Sequence, residues 1–124
     1  MSESEENRRY DLEERTFVFA KDVRRFIKLL ERNLANIEDA RQLVRSSGSI
    51  AANYIEANEA LSKKDFVMRI KICRKEAKES VLWLRLLDAE ERPQAESERQ
   101  RLANEGGELV NIFGAIYRKS GGDT

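Results

Sequence analysis

The stretch SSGSIAANYI, residues 46–55, contains no charged side chain, although 37% of the 124 residues are charged. It lies inside a segment with helical periodicity. Small residues let a helix backbone approach its neighbours closely, while the hydroxyls and the amide of Asn53 need buried partners. The stretch therefore predicts a helix packed on nearly every side. Two adjacent rows run along that helix: Ala40, Val44, Ser47, Ala51, Tyr54, Asn58 and Leu61 form one, and Leu43, Ser46, Ile50, Asn53 and Ala57 form the other. Asn36 is the expected N-cap.

The next segment has the clearest period. Phe66, Ile70, Cys73, Ala77, Ser80, Leu84 and Leu87 follow each other at alternating steps of four and three, which is one face of a long helix. Ser62 and Asp65 supply the start signal of a capping box, with Asp in place of Glu or Gln, and Pro93 marks the end. Leu12, Thr16, Phe19, Val23, Phe26 and Leu30 repeat the pattern in a first helix expected over residues 11–33, with Ala20, Ile27 and Leu34 beside them. In the last segment Leu102, Gly106, Leu109, Phe113 and Ile116 are in register, with Val110 and Tyr117 alongside. Gly106 and Gly107 weaken its middle by about 1 kcal/mol each relative to Ala, so a local break is expected there.

Strand signals are nearly absent, with one proline and no Asn-Gly or Asp-Gly turn. The fold class is all-α. Short connections between long helices favour antiparallel neighbours, hence an up-down-up-down four-helix bundle over residues 11–119. Residues 1–10 are expected to be a frayed acidic tail and residues 120–124 a flexible terminus.

Composition limits function. Lysine plus arginine and aspartate plus glutamate both number 23, so no global field attracts nucleic acid or an acidic membrane. The single Cys73 falls on the apolar row and reads as a core residue in a reducing compartment. No apolar run is long enough to span a bilayer, and the polar first residues do not read as a signal peptide, so a cytoplasmic protein without a membrane partner is expected. There is no histidine, which removes the commonest general base and every Ser-His or Cys-His arrangement. Walker, GxGxxG and CxxC patterns are missing as well. No catalytic residue and no cofactor is expected.

The run RSSGSIAANYIEANEALSKKDFVMRIKICRKEAKESVLWLRLL, residues 45–87, resembles the small bacterial four-helix-bundle proteins first noticed as reading frames within intervening sequences of 23S ribosomal RNA genes. LEERTFVFAKDV (residues 12–23) and GELVNIF (residues 107–113) are similar to the first and last helices of that family. The resemblance covers about residues 11–119. It implies a bundle that assembles into a ring, typically a homopentamer, with no established enzymatic activity for most members. Accessory subunits of diversity-generating retroelements are more distant relatives that bind reverse transcriptase and nucleic acid, and they are strongly basic. The net charge of zero in this chain departs from that branch.

Three groups of residues are candidates for a role. Arg45, Ser46, Asn53, Glu56, Arg69, Glu76 and Glu79 lie on or beside the apolar rows of the second and third helices, where a buried polar network would fix register between helices or subunits. The pairs Glu56 with Glu59 and Glu76 with Glu79 have the i,i+3 spacing of di-iron carboxylate bundles. Those sites use Glu-x-x-His, so no metal is expected. Lys64, Lys71, Lys78 and Arg85 recur every seven residues with Lys75 alongside, and Lys21, Arg25, Lys28 and Arg32 make a similar row on the first helix. These are solvated faces, faces paired with acidic surfaces of a neighbouring subunit, or a stripe for nucleic acid. Residues 63–85 hold eight basic and three acidic side chains, whereas residues 86–108 hold seven acidic and three basic. Met68, Ile72, Trp83 and Leu86 lie off the core row of the third helix and are the candidate subunit interface, which Tyr10 and Phe17 could extend. The expected function is a non-catalytic, homo-oligomeric scaffold or adaptor for a protein partner; the alternative is a nucleic-acid-binding accessory protein.

Overall fold

The computed structural model describes residues 3–122, which form four helices: α1 (Glu3–Ile27), α2 (Leu34–Asn58), α3 (Lys63–Leu86) and α4 (Pro93–Lys119). Among the described residues there is no strand. Each helix packs on its sequence neighbour, α4 closes back on α1, and the diagonal pairs α1–α3 and α2–α4 do not meet. The protein is an all-α four-helix bundle. Of its four seams, α1–α4 is the most open.

The heptad rows become the core. Leu12, Thr16, Phe19, Val23, Phe26 and Leu30 are all buried, and so are Ile70, Cys73, Ala77, Ser80, Leu84 and Leu87. Periodicity predicts these faces well because a helical period near 3.6 residues maps sequence spacing directly onto direction. On α2, Leu43, Ser46, Ser47, Ile50, Tyr54 and Ala57 face inward. The outer side of α2 differs from expectation. Ala52 is exposed and Ile55 is 50% exposed, so the uncharged stretch is packed on its inner side only. A helix at the corner of a four-membered bundle has two neighbours, and the side away from them meets solvent.

Helix ends differ from the sequence reading in instructive ways. α1 runs over residues 3–27 rather than 11–33, and residues 3–10, expected to form a tail, have helical backbone. Met1 and Ser2 lie outside the described residues. After Ile27 the chain tightens into short turns, with Leu29 N–H donating to the Phe26 carbonyl at 2.9 Å, and this carries Leu30 into the core from outside the helix. Leu34, expected on the face of helix one, instead begins α2 and is exposed. The N-cap of α2 is Asn33, whose side chain accepts from the Asn36 N–H at 2.9 Å. Asn36 is not the cap. It is buried, donates to the Glu31 and Asp88 carbonyls at 3.1 and 3.0 Å, and accepts from the Asp88 N–H at 3.0 Å, which ties two loops together.

Ser62 caps α3 as its sequence predicts, accepting from the Asp65 N–H at 3.0 Å. Pro93 does more than follow α3: it is the first residue of α4, where its missing N–H costs nothing. The expected break at Gly106 does not occur, because α4 is continuous there. A Cβ on Gly106 would sit 2.9 Å from the Cγ2 of Val81, so glycine is what lets α3 and α4 close up. α4 ends in a Schellman turn, with Gly121 at φ +92° and the Gly122 N–H donating to the Tyr117 carbonyl at 2.9 Å. Asp123 and Thr124 lie outside the described residues.

Candidate functional site

The polar residues of α2 and α3 come together as a seam rather than as a pocket. The Ser46 and Ser80 hydroxyls, both fully buried, are 2.7 Å apart. Beside them, Arg45 donates to Glu76 at 3.1 Å and to Glu79 at 3.3 Å. Toward the other end of the seam, Arg69 donates to the Asn53 carbonyl oxygen at 3.0 Å, while the Asn53 amide nitrogen donates back to the Ser49 hydroxyl and carbonyl. Glu56 does not join. It is exposed and makes no side-chain hydrogen bond or ion pair among the described residues. The expectation of a dry, bonded Glu56 is overturned.

Arg45 occupies the carboxylates of Glu76 and Glu79, the first of which is nearly buried. Among the described residues no group of three or more Cys, Asp or Glu side chains is placed to hold a metal ion. Cys73 is buried and donates to the Ile50 carbonyl at 3.6 Å. Burial pushes its thiol up to about 12, which leaves almost no thiolate near neutral pH.

A second set of charged contacts stitches the open α1–α4 seam. Arg15 reaches across from α1 to Glu105 with two bonds of 2.7 and 2.8 Å, and Arg101 reaches back from α4 to Asp22 at 3.1 Å. Periodicity did not reveal these pairs, since each joins residues about eighty to ninety positions apart.

The proposed cationic residues are all exposed, but they do not form one surface within the chain. Lys21 and Arg25 are on α1, Lys28 and Arg32 are in the loop after it, and Lys64, Lys71, Lys75, Lys78 and Arg85 are on α3, which is diagonal to α1. Arg25 pairs with Asp22 at 3.2 Å. No ion pair engages Lys71, Lys75 or Lys78 among the described residues, and the Lys71 ammonium lies 5.8 Å from the centre of the Tyr117 ring.

The outward face of α3 is apolar and cationic at once. Met68, Leu82 and Leu86 are 47%, 45% and 54% exposed, and Ile72 is half-buried. At 100° per residue these four fall within one narrow stripe opposite the core row. Leu82 was missed in the sequence, although its spacing from Leu86 and Met68 places it in the same stripe. Trp83, also assigned to this stripe, is half-buried at its edge beside Ile72. It lies three residues after Ser80 and four before Leu87, both buried, so it packs against the core of its own chain. Its indole Nε1 is buried without a hydrogen-bond partner. Phe17 is 56% exposed on α1, and the side chain of Tyr10 lies outside the described residues.

Fold and site together define an antiparallel helical bundle with a structural polar seam and an uncovered amphipathic face. The profile of the 23S rRNA-intervening sequence protein family matches residues 8–113, and the chain belongs to that family. It is similar to a solved structure from Bacteroides thetaiotaomicron, a protein of unknown function from the S23 ribosomal protein family, at 26% identity and a TM-score of 0.72. That likeness covers 86% of this chain and 97% of the other. No curated protein matches the chain. No helix among the described residues is long and apolar enough to cross a membrane.

Proposed function

We propose that this protein is a non-catalytic, self-assembling bundle of the cytoplasm, a homo-oligomer of pentameric type, that acts as a scaffold or adaptor for a protein partner. The observation that carries this reading is the apolar stripe on α3. Met68, Ile72, Leu82 and Leu86 line up on the side of the helix opposite its core, where a monomer gains nothing from them and a subunit contact would cover them. Cationic side chains flank the stripe, and the segment following α3 is acidic, so copies of the chain have complementary surfaces to offer one another. A buried, scarcely ionised Cys73 and carboxylates held by Arg45 also favour a structural role.

Multi-angle light scattering tests the assembly. The wild-type chain should run as a multiple of 14.4 kDa, and Leu82→Glu with Leu86→Glu should give a smaller helical particle. A wild-type monomer at micromolar concentration would overturn the reading.

A second reading, a nucleic-acid-binding accessory protein, is favoured by one observation: Lys71, Lys75 and Lys78 are exposed on α3, and no ion pair engages them among the described residues. Binding should fall steeply with salt and be lost in Lys71→Glu with Lys78→Glu.

A further inference from the structure

We propose that the α3–α4 seam carries a phosphate-binding clamp formed by Arg74 and Arg118 over Gly114, flanked by Lys71 and Lys78. Arg74 is half-buried in the middle of α3, and Arg118 is in the last turn of α4. A Cβ built on the buried Gly114 would lie 3.2 Å from the Nε of Arg74 and 3.3 Å from a terminal nitrogen of Arg118. Two guanidinium groups thus converge on one spot, and neither has a hydrogen bond or ion pair among the described residues. Elsewhere in the bundle, arginines that reach another helix end on acceptors: Arg15 on Glu105, Arg45 on Glu76, Arg69 on Asn53, and Arg101 on Asp22. The negative end of the α4 dipole accounts for the position of Arg118. It does not account for Arg74, which belongs to the middle of a different helix.

The surroundings reinforce the charge. Lys71, Arg74 and Lys78 follow at steps of three and four along α3, and Lys71 is drawn toward the α4 wall by the Tyr117 ring. Gly114 contributes no side chain, which lets the two guanidinium groups lie against the α4 backbone at this point. A tetrahedral oxyanion with several oxygens and more than one negative charge suits this set, because each guanidinium can donate two parallel bonds to it and the flanking ammoniums add point charges. A single carboxylate would leave most of these donors unused. The clamp lies within one chain and does not depend on assembly.

Calorimetric titration with inorganic tripolyphosphate, and anisotropy of a short labelled single-stranded RNA, test the clamp and separate its two sources of phosphate. The wild type should bind at least one probe. Arg74→Gln and Arg118→Gln should each weaken that binding by about tenfold, whereas Arg41→Gln, at an exposed position of α2, leaves it unchanged. Tripolyphosphate binding alone would identify a free oligophosphate as the ligand. RNA binding that weakens strongly between about 50 and 200 mM salt and fails in the same arginine variants would identify a phosphodiester chain. Arg118 is exposed in the last turn, so Arg118→Gln keeps the fold and decides the matter even if Arg74→Gln unfolds. Failure of both probes to bind, wild-type binding by Arg118→Gln, or equal loss in Arg41→Gln would overturn the proposal.

Discussion

Ser46 of α2 and Ser80 of α3 share a hydrogen bond of 2.7 Å at a point where both side chains are fully buried. Each also has a carbonyl of its own helix within reach, Leu43 for Ser46 and Glu76 for Ser80. Truncating one hydroxyl therefore leaves the other satisfied, and the close helix contact depends more on the small size of serine than on the bond.

Size is the more sensitive variable at this contact. Ser46→Leu should overpack the α2–α3 seam and cost about 1–3 kcal/mol or more, whereas Ser46→Ala should cost only about 1 kcal/mol. Ala52→Leu, on the exposed side of the same helix, should fall within about 0.5 kcal/mol of wild type. Urea unfolding of the three variants checks the order; equal losses at positions 46 and 52 would contradict the assigned faces.

Arg45 bridges two carboxylates, one nearly buried and one partly open. Its own side chain is half exposed, which screens the pair, so Arg45→Ala should destabilise by about 1–3 kcal/mol, mostly by leaving Glu76 without its cation. Adding Glu76→Gln to that variant should recover part of the loss. A double-mutant cycle with no coupling between the two positions would show that the contact is idle.

Acid should remove one local contribution of α4. Hydrogen bonds from Arg99 and Gln100 hold the Glu96 carboxyl down at about 2, below its ordinary 4.5. A carboxyl depressed by folding adds stability above its unfolded value and loses it as pH falls through the interval from about 4.5 to about 2. Glu96→Gln should therefore be less stable than wild type at neutral pH, with the difference in melting temperature closing across that interval. A constant difference from neutral pH down to 2 would contradict the assignment.

Cys73 should be nearly inert while the bundle is folded. A rise from 9.0 to about 12 lowers the thiolate fraction at mildly alkaline pH by about a thousandfold, and burial adds a steric block. Labelling by a disulfide reagent should be slow in native buffer and prompt in denaturant. Prompt native labelling would mean that α2 and α3 open locally at this position.

What the sequence determined by itself were the elements and their inner faces. The rows through Phe19 and Phe26, through Ile70 and Leu84, and through Leu109 and Phe113, all buried, follow from one local rule, the angular step between successive residues. The Ser62 cap was legible for the same reason, since donor and acceptor lie three residues apart. Tertiary structure decided everything that depends on how one helix is rotated and shifted against another. It put Asn33 rather than Asn36 at the cap of α2, because Asn36 has partners on a loop 52 positions away. It left Glu56 in solvent, turned Trp83 toward its own core, and brought Arg74 and Arg118 together over Gly114. The period within a helix defines its faces but carries no information on the register between helices. That register is set by close contacts such as Ser46 against Ser80 and Gly106 against Val81, which exist only after the chain has folded.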